Sequence, residues 1–294
     1  MLLLFQYTLI FASVLLLVAL GGCFSEHSGV INLGLEGIMV IGALGGALMM
    51  RYLPTEMNGF LTVILVMIGA VVFGVVYSAL LAVACINFKA DQTIVGTALN
   101  ILGTALATVL VKAINMKANP DDVSSTIQYV VQKKKFIQYI GNFEFNWFLV
   151  VTVIALIVAF VVLYKTKFGL RMMACGEHPQ AAASVGINVY KMRWAGVSEW
   201  KFENGVAGFG FLSLAVMIFG QWKPFRIALA ALLFGLFRAL SNVYIGIGFL
   251  NALHIPSTVY NMMPYIISLI VLAFTSRSSK APKAEGIPYD PGMR

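Results

Sequence analysis

The chain has 294 residues, of which 60% are hydrophobic and 11% charged, with a formal net charge of +8 and a mean hydropathy of +0.89. A soluble domain carries about a quarter charged residues, so this composition excludes a soluble globular protein and describes an integral membrane one. The excess of cations does not indicate nucleic-acid binding, because the cations sit in loops and at span ends, where they orient the protein against anionic lipid.

Met1 to Phe24 is a charge-free run long enough to cross a bilayer. Leu20-Gly21-Gly22-Cys23 has the outline of a lipoprotein cleavage box, but residues 1–12 hold no Lys or Arg, and a signal peptide needs a cationic start. The run is therefore read as a span. Residues 25–37, rich in Gly and polar groups, follow it; such backbone is tolerated at membrane depth only when packed in protein or lining a cavity. Gly37 to Met50 then supplies an apolar stretch too short for a full crossing, and a broken or re-entrant helix fits both features. Phe60 to Ile86 and Thr93 to Val111 read as two further spans joined by a short polar turn.

The loop from Lys112 to Glu144 is the longest polar segment and carries Lys133-Lys134-Lys135. Phe145 to Tyr164 is the next charge-free span. After it come Lys165, Lys167, Arg171, Lys191 and Arg193 with one acid, Glu177, so residues 165–193 are expected in the cytoplasm. Counting spans backwards from there puts the 112–144 loop outside, against the positive-inside rule for its three lysines. Within the cytoplasmic segment, Pro179 suits a first helical turn, Gln180 to Ala183 are good helix formers and Gly186 is placed to end the turn, so a short surface helix is expected.

Asn204 to Trp222, Ile227 to about Tyr244, and Ile255 to Ser276 read as three more apolar segments. Arg238 interrupts the second, where it is expected to snorkel towards a membrane surface, a role in the translocation path being the alternative. The tail, 277–294, is polar and reads as flexible and cytoplasmic. A permease domain of residues 1–276 with this tail is the expected organisation. Gly29-Val30-Ile31-Asn32-Leu33-Gly34-Leu35 and Gly205-Val206-Ala207-Gly208-Phe209-Gly210-Phe211 share a GV-x-x-[LF]-G-[LF] pattern. Two broken elements at matching places in two halves point to a transporter's site, although seven residues also match by chance in a Gly-rich chain. The fold class expected is all-α and polytopic, with about 7–9 membrane segments.

Several chemistries are absent from the pattern. There is no Gly-Lys dipeptide and so no GxxxxGK[ST] phosphate loop to hold ATP. Cys23, Cys85 and Cys175 are scattered and none lies at metal-ligand spacing from His27, His178 or His254, so neither a metal site nor a disulfide framework is expected. No acid, base and nucleophile converge, and an enzyme is not expected. Polar residues at membrane depth, namely Asn32, Glu36, Asn100 and Gln92, are the candidates for a solute path. Each must be answered by protein, water or solute, and helix–helix hydrogen bonding is the alternative reading for all four.

Glu177 stands four residues before Ala181-Ala182, and Gly186 four after Ala182, in a pattern that resembles the EAA loop of ABC-importer permeases. The blocks Phe24 to Met39, Asp91 to Asn100, Thr166 to Arg171, Phe219 to Pro224 and the tail Ala281 to Asp290 are similar to those of the permeases shared by simple-sugar, branched-chain amino acid and nucleoside ABC importers, most closely the nucleoside type. The resemblance implies a multi-pass protein of the cell membrane, coupled through Glu177, Ala181, Ala182 and Gly186 to a cytoplasmic ABC ATPase. It further implies a second permease subunit, an extracytoplasmic solute-binding lipoprotein, a nucleoside substrate such as guanosine, and no cofactor on this chain, ATP and magnesium being the ATPase's. A sugar or branched-chain amino acid permease is the alternative, and an ion-coupled carrier using Glu36 a more distant one.

In that family the segment after the coupling loop opens a Gly- and Ala-rich helix, whereas here Ala195-Gly196-Val197 passes through Ser198-Glu199-Trp200-Lys201 to Phe202. One helix is missing by this pattern. Three crossings after the loop would leave the cationic tail outside, so either one segment is re-entrant, 204–222 being the best suited, or the chain is an internally deleted, non-transporting copy.

Overall fold

A computed structural model describes residues 2–54, 56–127, 137–140, 143–197, 208–244, 256–275 and 281–292. Helix α1 (Leu2–His27) is followed by a non-helical break and α2 (Leu35–Tyr52). Helix α3 (Gly59–Ala82) runs on into a π turn, Val83–Asn87, and α4 spans Gln92–Ala118. A short antiparallel hairpin, β1 (Ile137–Ile140) paired with β2 (Phe143–Asn146), precedes α5 (Trp147–Lys165). Three short helices come next, α6 (Lys167–Glu177), α7 (Pro179–Ser184) and α8 (Val189–Val197). Then follow α9 (Phe209–Phe219), α10 (Pro224–Val243) and α11 (Ser257–Thr275).

Six of these helical runs among the described residues, α1 to α5 with the π turn and α10, are long and apolar enough to cross a membrane. Helix α11, 19 residues without a charge, is of comparable length. The chain is thus an all-α polytopic membrane protein with one small hairpin added. Two boundaries differ from the sequence reading. Helix α2 is 18 residues rather than the short run 37–50, because Glu36 is hydrogen-bonded at its start and Arg51 at its end donates to Asn115 Oδ1, 2.8 Å away. Helix α4 continues past Val111 to Ala118 before the loop begins.

Neighbour contacts sort the helix ends onto two faces. The His27 end of α1 lies against Gly176 of α6, Ser28 against Gly196 of α8, and Trp194 of α8 donates to Asn87 Oδ1 at 3.1 Å. These ends, with Lys165, share the coupling-loop face. Arg51 and Asn115 meet on the opposite face, where the 119–127 segment also lies: Asn115 Nδ2 donates to the Thr126 carbonyl at 2.9 Å. That is the side that counting spans assigned to the long loop; Lys133 to Lys135 lie outside the described residues.

The second half resolves the parity problem. Val197 ends α8 in a cluster with Val30 and Ile86 on the coupling-loop face. Helix α9 has only 11 residues, about 17 Å at 1.5 Å per residue, roughly half a crossing. Its far end returns to the same face, where Trp222 donates from Nε1 to Glu26 and its carbonyl lies 3.2 Å from Cys23 Sγ. Helix α9 therefore enters and does not cross. Helix α10 then runs outward beside α1, with Gly235 against Thr8 and Ala12.

The tail corrects the expectation of a flexible end. Ala284 N–H donates to the Gly176 carbonyl at 2.8 Å, Tyr289 packs edge-on against Tyr190, and Lys89 pairs with Asp290 at 3.2 Å. Residues 281–292 are docked on the coupling loop.

Candidate functional site

The two breaks in the helical ladder meet inside the bundle. At the first, Ser25 Oγ donates to the Val30 carbonyl at 2.9 Å and Ser28 Oγ to the Ser25 carbonyl at 2.6 Å, closing the turn locally. Helix α4 supplies the rest. Gln92 Oε1 accepts the Ile31 N–H at 2.6 Å, Asn100 Oδ1 accepts the Gly37 N–H at 2.8 Å, and Asn100 Nδ2 donates to the Leu33 carbonyl at 2.7 Å. Backbone that leaves the helical ladder at membrane depth has no water to turn to, so side-chain amides take the place of the missing helical bonds.

At the second break, the Glu36 carboxylate accepts the Gly208 N–H at Oε1 (2.6 Å) and the Gly210 N–H at Oε2 (2.7 Å). Both donors belong to the unsatisfied first turn of α9, and an anion there also meets the positive end of the helix dipole. Gly208 has φ of +90°, and a Cβ on Gly210 would sit 2.5 Å from Glu36 Cα, so the sequence pattern of glycines serves both a left-handed turn and a backbone-to-backbone approach. Glu36, the residue that follows the first heptad, thus contacts Gly210 within the second.

The four residues read as a solute path converge on this region, all buried. Three of them use their polar atoms to fix the breaks. Asn32 is fully buried within the first break, its Oδ1 beside Gly34. Gln92 Nε2 is buried with no hydrogen-bond partner among the described residues.

Around the start of α9 lie Arg238, whose expected position the structure corrects, and two aromatic residues that the sequence reading passed over, Phe11 and Tyr265. The Arg238 guanidinium lies 5.4 Å from the centre of the Phe209 ring, turned into the bundle rather than snorkelling outward. Phe11 stacks on Phe209 at 5.8 Å between centroids, and Tyr265 of α11 lies with its hydroxyl beside Gly208. At the other end of α9, Gln221 and Trp222 adopt φ of +50° and +56°. For a bulky residue that is strained backbone, held here by the Glu26 and Cys23 contacts. Glu26 and Trp222 stand 196 positions apart, and no local signal pairs them.

The coupling loop has a small core of its own, Cys175, Ala182 and Val189, against which Ile187, Met192 and Tyr289 pack. Thr166 Oγ1 accepts the Gly169 N–H at 3.2 Å to start α6, Pro179 opens α7, and Gly186 leaves it at φ +83° with open space around its Cα. The expected helix is present, but Glu177 belongs to the end of α6 and only Ala181 and Ala182 to α7. Glu177, Ala181 and Gly186 are exposed while Ala182 is buried. Val185, three-quarters exposed, adds an apolar contact point at the tip.

Beneath this loop Arg193 is fully buried. Its Nη1 donates to the Ile287 carbonyl of the tail at 3.0 Å, while Nε and Nη2 have no acceptor among the described residues. Burial lowers its pKa and raises that of the neighbouring Cys175 thiol. Burial also pushes the Glu285 carboxyl of the tail up to about 7, against the lowering effect of a hydrogen bond with Glu26.

Comparison with known proteins now defines the class. The family described as branched-chain amino acid transport system / permease component matches residues 4–198, and the chain belongs to it, as a multi-pass protein of the cell membrane. Such a permease is a transport subunit rather than an enzyme, and works with an ATPase and other subunits.

Among individual relatives, the guanosine ABC transporter permease protein NupQ of Bacillus subtilis is 37% identical, covering 98% of this chain and 96% of its own. The nucleoside ABC transporter permease protein NupC of Lactococcus lactis is also 37% identical, covering 96% and 94%. A putative glucose ABC transporter permease protein, TsgC13 of Haloferax volcanii, is 30% identical over 78% of this chain and 74% of its own. No solved structure gives a significant match. The alignment to the Bacillus protein runs over 311 positions, more than the 294 residues here. The relative therefore has positions without a counterpart in this chain, in number on the order of the 20 residues of one crossing. The family match itself ends at residue 198, where the sequence pattern breaks off.

Proposed function

We propose that this chain is the membrane-spanning subunit of an ABC importer that carries nucleosides, guanosine or a related purine nucleoside, into the cell. The observation that carries this reading is the end-to-end similarity, at 37% identity, to two permeases named for guanosine and nucleosides, against 30% over a shorter span for the one named for glucose. Residues 1–276 form the permease domain and 277–294 its polar tail, of which residues 281–292 lie beside the coupling loop. Its partners are a second permease subunit, an extracytoplasmic solute-binding lipoprotein and a cytoplasmic ABC ATPase, which holds the ATP and magnesium.

Glu177, Ala181 and Gly186 form the surface offered to the ATPase, and buried Ala182 sets the helix on its small core. Closure of the ATPase pair moves α6 to α8. Because Gly176 lies against His27 and Gly196 against Ser28, that movement reaches the first break directly, and through Glu36 the start of α9. Gln92, Asn100 and Glu36 hold the two breaks, and together with Asn32 they mark the region past which the solute moves. An ion-coupled carrier is disfavoured, since its coupling acid, Glu36, is engaged by two backbone N–H groups.

The test is uptake of labelled guanosine by cells producing the complete system, with unlabelled guanosine, ribose and leucine as competitors. Competition by guanosine alone and loss of uptake with an inactive ATPase are expected. Blocking by leucine or ribose but not guanosine would reassign the solute.

A further inference from the structure

On the coupling-loop face, α5 and α10 diverge around a cavity of about 430 Å³. Its rim carries three cations, Lys165 at the end of α5 and Lys223 and Arg226 at the start of α10. All three are exposed, and none forms an ion pair among the described residues. Pro224 opens α10, a 20-residue helix whose first turn has no side-chain cap, so its unsatisfied N–H groups add positive potential at the same rim. The wall is aromatic: Phe160 and Phe225 approach to 4.9 Å between centroids, with Tyr164 beside them.

Below the rim the character changes. Ile157 and Val161 on the Phe160 face of α5, and Leu229 one turn beyond Phe225 on α10, are exposed apolar side chains that lead from the cavity towards the membrane interior. A cluster of like charges with no internal counter-ion, standing where the membrane-crossing helices end and continuous with an apolar stripe, fits one ligand chemistry. We propose that the α5–α10 cleft binds an anionic phospholipid, its phosphate among Lys165, Lys223 and Arg226 and its acyl chains along the Ile157–Val161–Leu229 stripe. A free anion would use the cations but leave the stripe uncovered; a zwitterionic lipid would use the stripe but bring no net charge to the rim. Juxtamembrane cations contribute additively to binding anionic lipid. Since the site joins the end of α5 to the start of α10, its occupant braces the two helices that flank the coupling loop and α9.

Native mass spectrometry of the purified full-length chain, titrated with phosphatidylglycerol and with phosphatidylcholine of the same acyl composition, tests this. Preferential retention of phosphatidylglycerol is expected. Neutralising all three cations (K165Q, K223Q, R226Q) should weaken it about a hundredfold, and the charge-preserving set K165R, K223R, R226K should not. Neutralising Lys117 and Lys191, away from the cleft, should leave retention unchanged. Equal retention of both lipids by the unaltered chain, a measurement that needs no variant to fold, would overturn the proposal. So would full phosphatidylglycerol binding by the neutralised variant, or displacement of the lipid by millimolar inorganic phosphate.

Discussion

The first break, residues 28–34, lies between two complete crossings and is held from several sides: by Ser25 and Ser28 within the turn and by Gln92 and Asn100 from α4. The second, at the start of α9, comes after the coupling loop, and Glu36 ties the Gly208 and Gly210 N–H groups of its first turn. The difference teaches how a shortened second half keeps its place. The half-helix α9 takes its upper anchor, Glu36, and its lower one, Glu26, from the first half, so the complete unit templates the incomplete one. Both anchors are acids inside or at the edge of the membrane, tolerated because each meets an N–H donor.

Substitutions should rank the two breaks. Glu36→Ala leaves the Gly208 and Gly210 N–H groups buried without an acceptor and should have the largest effect, about 2–4 kcal/mol, read as a fall in the thermal transition of the detergent-solubilised protein. Glu36→Gln, which can still accept at one oxygen, should lie between. Gly210→Ala forces a methyl against the Glu36 backbone and should cost about 1–3 kcal/mol. If it is neutral, the close contact of the two breaks is not the organising one.

Smaller effects belong to the first break, whose ties are shared. Asn100→Ala removes an acceptor for Gly37 and a donor to Leu33 and should cost about 1–3 kcal/mol, with Asn100→Asp restoring the Gly37 bond alone. Gln92→Ala loses one hydrogen bond, about 1 kcal/mol, because Nε2 already lacks a partner among the described residues. The gentlest test concerns the docked tail. The Glu285 carboxyl has its pKa raised to about 7 where it is docked, above the usual value near 4.3 of a free Glu. The docked state therefore binds more protons: docking is fully favoured below the free value and weakens as pH rises through about 7. Proteolytic clipping of the tail should be faster at pH 8 than at pH 5, and Glu285→Gln should remove that dependence.

Much of this was legible beforehand. Charge-free runs gave the spans because nothing else in a sequence is twenty residues long and free of charge. Gly and polar residues between apolar ones marked both breaks, and the odd number of crossings left a re-entrant segment or an internally deleted copy as the two readings, of which α9 fits the first. Glu36, Asn100 and Gln92 stood out because a polar atom at membrane depth must be answered. What answers it was not legible: the Glu36 bonds close over 172 and 174 positions, and the sequence carries no record of such pairings. The tail misled for a different reason. Its Lys and Pro content reads as solvent-exposed chain, yet Ala284 and Tyr289 fit the coupling loop and backbone hydrogen bonds, which composition does not encode, dock it.

The central claim is that the chain leaves the coupling loop and returns to the same face before α10, so that a shortened second half still brings the tail back to the coupling-loop face. Single cysteines at Lys191 and Asp290, probed with a membrane-impermeant maleimide in right-side-out and inside-out vesicles, test it directly, since Cys23, Cys85 and Cys175 are buried. Both positions should label only from the cytoplasmic side. Labelling of Asp290→Cys from outside, with Lys191→Cys still labelled from the cytoplasm, would mean an odd number of crossings after the coupling loop and would contradict the re-entrant assignment of α9.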